Sequence, residues 1–217
     1  MYAPPPVSEL MPCLDAFERF IHAEIPEYPP LIKAGLLHVQ FESIHPFLDG
    51  NGRLGRLLIT LYLCSQKVLS QPLLYLSLYF KTYRTDYYRL LQQVREQGAW
   101  EAWLEFFLQG VATTAGEAFE AGNRIVRLFK TDRERIASTG DRVSSALRIH
   151  ELMQTSPFIT APKAMERTGL TMPTVNSAIS ELQRLGVVQE VTGRKRGRVY
   201  SYRAFMDILS EGVGPVS

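Results

Sequence analysis

Helical spacing of apolar residues through the first 140 positions constrains the fold more than any other feature of this sequence. Apolar side chains recur at every third or fourth position, as at Leu10, Leu14, Phe17 and Ile21, which is the period of one helix face. Prolines and glycines mark the ends of most such segments. The predicted helices cover Leu10 to Ile25, Pro30 to Ile44, Leu54 to Cys64, Ser77 to Gly98, Trp100 to Thr114 and Ala115 to Ser138.

The pattern changes from Asp141 onward. Short helical segments end at Gly186, and two alternating segments, Val187 to Val191 and Val199 to Tyr202, flank the turn TGRKRG. Alternation on both sides of a glycine-containing turn is typical of a β-hairpin. This order predicts a small α+β winged helix-turn-helix domain. The predicted organisation is a helical domain over 1–114, a helical connector over 115–140 and the winged helix over 141–210.

Composition and charge narrow the class of protein. The chain has 217 residues, of which 46% are apolar, enough for two cores. Its formal net charge of +2 gives no global sign of nucleic-acid binding. The sequence shows no signal peptide and no apolar run of about 18 residues, and its two cysteines have no CxxC spacing. We expect a cytoplasmic protein with no membrane partner.

The segment HPFLDGNGRLGR concentrates polar side chains between two predicted helices. Gly50, Asn51 and Gly52 allow backbone N–H groups to converge where a helix begins, and such helix starts bind phosphate. Arg53 and Arg56 lie one turn apart and can contact further phosphate oxygens. Each feature alone is more often a turn or a solvated helix face, but their order and spacing together predict a polyphosphate site.

Two further side chains of this segment predict the chemistry. Asp49 offers an oxygen ligand for a Mg²⁺ ion that bridges phosphates. His45 can accept a proton from an attacking hydroxyl. The pair predicts attack of a hydroxyl on a nucleotide phosphate. We expect Phe47 to anchor the loop in the core and Gly55 to permit close helix packing.

The same segment matches the Fic signature HxFx[DE]GNGRxxR in full, and the flanking stretches YPPLIKAGLLHVQFESIHPF and TDYYRLLQQVREQGAWEAWLEFF resemble the same family. The resemblance covers about half of the chain and implies a mainly α protein with an all-helical Fic fold. It implies transfer of AMP from ATP to a Ser, Thr or Tyr hydroxyl of a target protein, itself included, with release of pyrophosphate. His45 is then the base and Asp49 the Mg²⁺ ligand. The implied ATP-binding residues of the loop are Asp49, Gly50, Asn51, Gly52, Arg53, Leu54, Gly55 and Arg56.

The resemblance carries four finer expectations. Gly52 favours nucleotidyl transfer, because the Doc-like branch that moves a phosphate has Lys there. Tyr87 and Tyr88 fall where the family places tyrosines near the adenine, although a Tyr pair at a helix start is as often part of a core. Arg95 aligns with a nucleotide-contacting position that is Asn in some relatives. A homodimer is expected by analogy.

The inhibitory motif of many relatives, [ST]xxxE[GN], is not found. SAISEL and TTAGEA have the Ser or Thr to Glu spacing but lack the final Gly or Asn. In relatives with this domain order the inhibitory helix lies upstream, before a flap of which Tyr2 to Pro6 resembles only the end. We therefore expect a truncated form that lacks this brake.

The tail leaves a second function open. Its hairpin turn carries Arg194, Lys195, Arg196 and Arg198, which suit a DNA backbone, and the helix from Thr171 to Leu185 suits a major groove. Such domains also serve in dimerisation or protein docking. The rival hypothesis is a DNA-binding transcriptional regulator whose Fic domain senses a nucleotide. Transfer of UMP or phosphocholine on the same scaffold is a third alternative.

Overall fold

The chain folds into two compact units, Met1–Gly116 and Glu117–Ser217. The computed structural model describes residues 4–23, 28–72, 74–140 and 143–211. Within these ranges it contains ten helices and one small sheet of three strands. The predicted fold class, mainly α with a small α+β part, is therefore confirmed.

Helices α1 to α5 and the first part of α6 belong to the first unit, and α2 and α3 lie at its centre. Buried apolar residues from α2 to α6, together with Phe17 of α1, form its core. The helices are α1 Val7–His22, α2 Pro30–Ile44, α3 Asn51–Ser65, α4 Leu76–Thr82, α5 Arg84–Gln97 and α6 Trp100–Ala137.

Several helix boundaries differ from the sequence-based expectation. One continuous helix, α6, replaces the two helices predicted on either side of Thr114, because the sequence there contains no proline and a lone Gly116 is tolerated inside a helix. The segment Ser77 to Gly98 forms two helices, α4 and α5, which meet at Tyr83. Residues 24–25 of the first predicted helix, and residues 2–3 of the flap resemblance, lie outside the described residues.

The third helix buries a different face from the one that hydropathy predicts. Leu54, Leu57 and Leu61 are exposed. The buried face combines the apolar Ile59 and Leu63 with smaller or polar positions, among them Gly55 and Thr60. A hydropathy pattern misses this face because it gives little weight to glycine and polar residues.

A buried lysine joins the first two helices. Lys33 of α2 donates from its ammonium group to the carbonyls of Ile21 and Ala23 at distances of 3.0 and 2.6 Å. These carbonyls lie at the end of α1, where backbone acceptors have no partner within the helix. The charged head also lies over the Phe20 ring. Lys33 therefore caps α1 from the neighbouring helix.

In the second unit, short helices surround a small antiparallel sheet. The strand order is β1-β3-β2. Phe158 pairs with Ser201 on one side of β3, and Gln189 pairs with the same residue on the other side. The hairpin of β2 and β3 agrees with the prediction, whereas β1 was not predicted because it is only three residues long. The elements are α7 Val143–Thr155, β1 Phe158–Thr160, α8 Ala161–Thr168, α9 Met172–Arg184, β2 Gln189–Glu190, β3 Val199–Ser201 and α10 Arg203–Ser210.

Among the helices of the described ranges, none is both long enough and apolar enough to span a membrane.

A buried polar network holds the second unit together. The Tyr202 hydroxyl donates to Asp132 Oδ2 at 2.7 Å and lies 3.3 Å from His150 Nε2. Arg135 forms an ion pair with the other carboxylate oxygen of Asp132 at 2.7 Å. Burial and the hydrogen bond to Asp132 raise the pKa of Tyr202, so its hydroxyl keeps its proton. The network ties α6 to the end of β3.

Tyr202→Phe tests this network. Removing the hydroxyl leaves Asp132 Oδ2 buried without its donor, which costs about 1–3 kcal/mol. We expect weaker hydrogen-exchange protection in α7 and β3 of the variant. Tyr200→Phe removes the hydroxyl of a buried tyrosine on β3, for which the described residues show no hydrogen-bond partner, and should change protection little. Equal effects of the two substitutions would contradict the network.

Candidate active site

His45 ends α2 in a conformation that is uncommon for a residue with a side chain. Its backbone is left-handed, with φ 49° and ψ 56°, and its N–H donates to the Phe41 carbonyl at 2.9 Å. Non-glycine residues rarely adopt this region, and such outliers cluster at functional sites. The side chain is 40% exposed. The helix exit therefore presents an accessible imidazole, at the place that the sequence predicts.

One asparagine fastens the loop that follows. Asn51 is buried, accepts from the Phe47 N–H at 3.0 Å with its Oδ1 and donates to the Phe47 carbonyl with its Nδ2. Both backbone groups of Phe47 are thus held by one side chain. The Phe47 ring itself is 51% exposed, so the prediction that it anchors the loop in the core is wrong. The anchor is its backbone, which hydropathy cannot indicate.

The glycine-rich turn leads directly into the start of α3. Gly50 has φ 86°, a left-handed conformation that favours glycine, and its carbonyl accepts from the Leu54 N–H at 3.0 Å. The N–H groups at the first positions of a helix have no partner within that helix, and the helix dipole favours an anion there. This geometry suits a phosphate.

Charged side chains surround this helix start. The largely exposed Asp49 and Arg53 form an ion pair at 3.2 Å. One turn further along α3, Arg56 donates from Nε to Ser77 Oγ at 3.1 Å. Both arginines line a pocket of about 260 Å³, whose opposite wall includes Pro72 and Ser77. The exposed guanidinium groups are available to an anionic ligand.

Asp49 is the carboxylate of this loop that could hold a metal ion. The described residues contain no group of three or more His, Cys, Asp or Glu side chains arranged as metal ligands. Mg²⁺ needs no such group, because it keeps several waters and binds through one or two carboxylates plus substrate phosphates. The exposed Asp49 beside a phosphate-binding helix start fits that ion.

A buried carboxylate lies behind His45. Glu42 precedes it by three residues on α2, and its Oε2 lies 3.9 Å from His45 Nδ1. The other oxygen, Oε1, is buried and has no hydrogen-bond partner among the described residues. Burial raises the pKa of Glu42, while the positive charges of His45, Arg56 and Arg95 act in the opposite direction. Sequence analysis did not select Glu42, although an acidic residue inside a buried helix is a signal.

A second histidine on α2 belongs to the core. His38 is fully buried and its Nε2 lies 2.9 Å from the Tyr87 hydroxyl. Its ring packs nearly parallel to those of Phe80 and Trp103, which also contact each other. Burial lowers the pKa of His38 to about 4, so it is neutral at pH 7. His38 fixes the position of α5 against α2.

Close contact between α2 and α3 requires Gly55. A Cβ atom at this position would lie 2.8 Å from Glu42 Oε1, 3.2 Å from His38 Nδ1 and 3.2 Å from the Phe41 ring. A separation below 3.0 Å forces a neighbour to move. The predicted packing role of Gly55 is confirmed.

The remaining candidates lie on α5 in different environments. Tyr87 is buried, and its hydroxyl contacts His38. Tyr88 is exposed, with its ring packed edge-on against Tyr87 and the Arg84 guanidinium 5.6 Å from its centre. Arg95 donates to the Glu42 carbonyl at 2.8 Å and to Ser43 Oγ at 3.2 Å. Of the two tyrosines, Tyr88 is the one that solvent and a ligand can reach.

Comparison with known proteins identifies a Fic/DOC region. Residues 1–63 match the Fic/DOC family. Protein adenylyltransferase Fic of Drosophila erecta is 41% identical over 59 residues, which are 27% of this chain and 12% of that protein. A Fido domain-containing protein of Dictyostelium discoideum is 60% identical over 37 residues, 17% of this chain and 25% of that protein. The matches therefore span only an eighth to a quarter of these relatives.

One solved structure resembles most of the chain. It is a Fic family protein from Desulfovibrio desulfuricans G20, with a TM-score of 0.52 and 24% sequence identity. The alignment covers 92% of this chain and 56% of that one. This likeness concerns the fold.

Gly55→Ala tests the helix contact that supports the site. The added methyl group must displace Glu42 or move α3, and such overpacking costs about 1–3 kcal/mol. We expect a lower free energy of unfolding in urea. Gly116→Ala is the matched control, because a Cβ there meets nothing within 4 Å and alanine is the better helix former. A Gly55→Ala protein as stable as the control would show that α2 and α3 are not in close contact.

Proposed function

We propose that the first unit transfers AMP from ATP to a hydroxyl side chain of a protein. The observation that carries this proposal is the direct succession of two features: an accessible imidazole at the left-handed exit of α2, and a helix start at Gly50 whose geometry suits an anion. The Fic/DOC match over residues 1–63 and the names of the fly relatives support it. A second copy of this chain is one candidate for the target protein.

Different residues of the loop would hold different parts of ATP. The N–H groups at the start of α3 would bind phosphate oxygens, and Arg53 and Arg56 would neutralise the charge of the pyrophosphate portion. Asn51 keeps these donors in place by holding Phe47. Gly52 leaves room for the Arg56 guanidinium, because a Cβ at position 52 would lie 3.1 Å from it. Asp49 would hold Mg²⁺, which neutralises phosphate charge.

The reaction then needs one proton acceptor. His45 takes the proton of the target hydroxyl as its oxygen bonds to the α-phosphorus of ATP. The bond between the α-phosphorus and the oxygen that bridges it to the β-phosphate breaks, and pyrophosphate leaves with the electron pair. The proton on His45 passes to solvent afterwards. Preorganised donors at the phosphates stabilise the developing charge.

Tyr88 is our candidate for contact with the adenine. Its ring is exposed, and Arg84 lies over it. Tyr87 would support this ring from the core, since the two rings pack edge to face at 5.1 Å. An aromatic surface of this kind favours stacking with a base.

Radiolabelled ATP distinguishes AMP transfer from phosphate transfer. The full chain is incubated with Mg²⁺ and ATP labelled on the α- or the γ-phosphate, alone and with cell lysate, and protein-bound label is measured. We expect label from α-labelled ATP only, and its loss in His45→Ala. His22→Ala, a substitution of an exposed histidine on α1, is the control that should retain labelling. Transfer of γ-label, or α-label that persists in His45→Ala, would contradict the proposal.

We also propose that the second unit is a winged helix-turn-helix that binds duplex DNA. Its order of elements, with α8 and α9 joined at Gly169 and followed by the hairpin of β2 and β3, fits that domain. The hairpin turn exposes Arg194, Lys195, Arg196 and Arg198. Residues 117–217 contain fifteen Lys and Arg against eleven Asp and Glu, whereas residues 1–116 contain nine against eleven. The positive charge of the chain is thus concentrated in the second unit.

The salt dependence of binding tests the DNA interface. We expect the affinity of the full chain for a mixed-sequence duplex to fall with salt, with a log–log slope of about −0.9 for each DNA phosphate that a Lys or Arg neutralises. Arg194→Gln/Lys195→Gln should flatten the slope. Arg127→Gln/Lys130→Gln removes the same charge from exposed positions of α6 and should change it less. Equal slopes in the two variants, or no binding at low salt, would contradict a DNA-binding hairpin.

A further inference from the structure

We propose that Glu42 is the positioning residue for His45: its carboxylate accepts the Nδ1–H of the imidazole, so that the lone pair of Nε2 faces the target hydroxyl. This inference rests on the proposed function of His45 as the base. In that arrangement the carboxylate orients the ring and stabilises the imidazolium that forms when the base takes its proton.

The first support is the geometry of the pair. Glu42 Oε2 lies 3.9 Å from His45 Nδ1, within ion-pair distance and beyond that of a hydrogen bond. Catalytic hydrogen bonds are often long without substrate and shorten in the reactive complex. Glu42 and His45 are three residues apart at the end of α2, where the left-handed conformation of His45 ends the helix.

The second support is the cost of burying this carboxylate. The Glu42 side chain is only 7% exposed, and its Oε1 has no hydrogen-bond partner among the described residues. A buried carboxylate without its full set of donors is destabilising. Glutamine would fit the same space without a charge. A charge kept at this cost is best explained by the positive charge that His45 acquires during the reaction.

The third support is the rigidity of the surroundings. Glu42 Oε1 lies 2.8 Å from the place that a Cβ of residue 55 would take, so the backbone of α3 lies close to the carboxylate. On the opposite side, Arg95 of α5 donates to the Glu42 carbonyl and to Ser43 Oγ. The backbone that carries both Glu42 and His45 is therefore held by two neighbouring helices.

Several other groups influence whether Glu42 is ionised. Arg56 of α3 and Arg95 of α5 both favour an ionised Glu42, against the effect of its burial. The Tyr87 hydroxyl of α5 is close enough to feel the charge of Glu42, and burial raises its pKa, so it stays neutral. His38 is neutral as well. His45, Arg56 and Arg95 are thus the positive charges that oppose neutralisation of Glu42.

The test substitutes Glu42 by Gln in the full chain and follows the rate of AMP transfer against pH. We expect kcat to fall at least about tenfold with the KM for ATP unchanged. The acidic limb of the pH–rate profile should move to lower pH by about one unit, because the imidazolium loses a nearby negative charge. The unfolding temperature should stay the same or rise, because a neutral amide replaces a buried carboxyl. Glu101→Gln, at an exposed position on α6, is the control and should change none of these quantities.

Two further measurements keep the outcome clear. Glu42→Asp retains the charge, so its acidic limb should lie closer to that of the unsubstituted chain than to that of Glu42→Gln. NMR titration of the His45 ring needs no turnover, and the ring should titrate at lower pH in Glu42→Gln. A fall in kcat with neither the limb nor the ring titration moved would overturn the positioning role. If the ring titration shifts in Glu42→Gln but the unsubstituted chain transfers no AMP, the pairing of Glu42 with His45 is supported. Only the proposed function is then refuted.

Discussion

The close approach of α2 and α3 at Gly55 is the contact on which the candidate site depends. Because residue 55 has no side chain, α3 can lie directly against Glu42, His38 and Phe41 of α2. α2 ends at Ile44 and α3 begins at Asn51. The loop between them is then short enough for one side chain, Asn51, to hold it by both backbone groups of Phe47. The packing of the two helices thus places the His45 ring and the start of α3 at the two ends of one short loop.

Helix α2 also carries polar residues inside the first unit. His38, Glu42 and Lys33 all lie buried on α2, each against a different neighbour. Lys33 caps α1, and His38 bonds Tyr87 of α5. One oxygen of Glu42 lacks a hydrogen-bond partner among the described residues, as does Nδ1 of His38. Buried polar groups without partners are rare and call for an explanation. A functional explanation fits Glu42, since its carboxylate lies beneath the imidazole proposed as the base.

The sequence predicted the helical class, the helix exit at His45 and the glycine-rich turn, because these depend on local spacing and on the conformations open to glycine and proline. It failed where tertiary packing decides the outcome. The exposed face of α3 carries three leucines that hydropathy assigns to the core. Phe47 is held through its backbone, and β1 is too short to be recognised. Glu42 was missed because its importance depends on α3 and α5 closing around it, which no spacing along one helix reveals.

The most direct test of the proposed AMP transfer is a crystal structure of the His45→Ala protein with ATP and Mg²⁺. If His45 is the base for AMP transfer, the triphosphate is bound at the start of α3. Its α-phosphate then lies nearest to residue 45, and its outer phosphates lie beside Arg53 and Arg56. Such a structure would place the atom that AMP transfer requires within reach of the missing imidazole. A nucleotide in the reverse orientation, with the γ-phosphate nearest to residue 45, would contradict AMP transfer. ATP bound away from this loop would contradict the site itself.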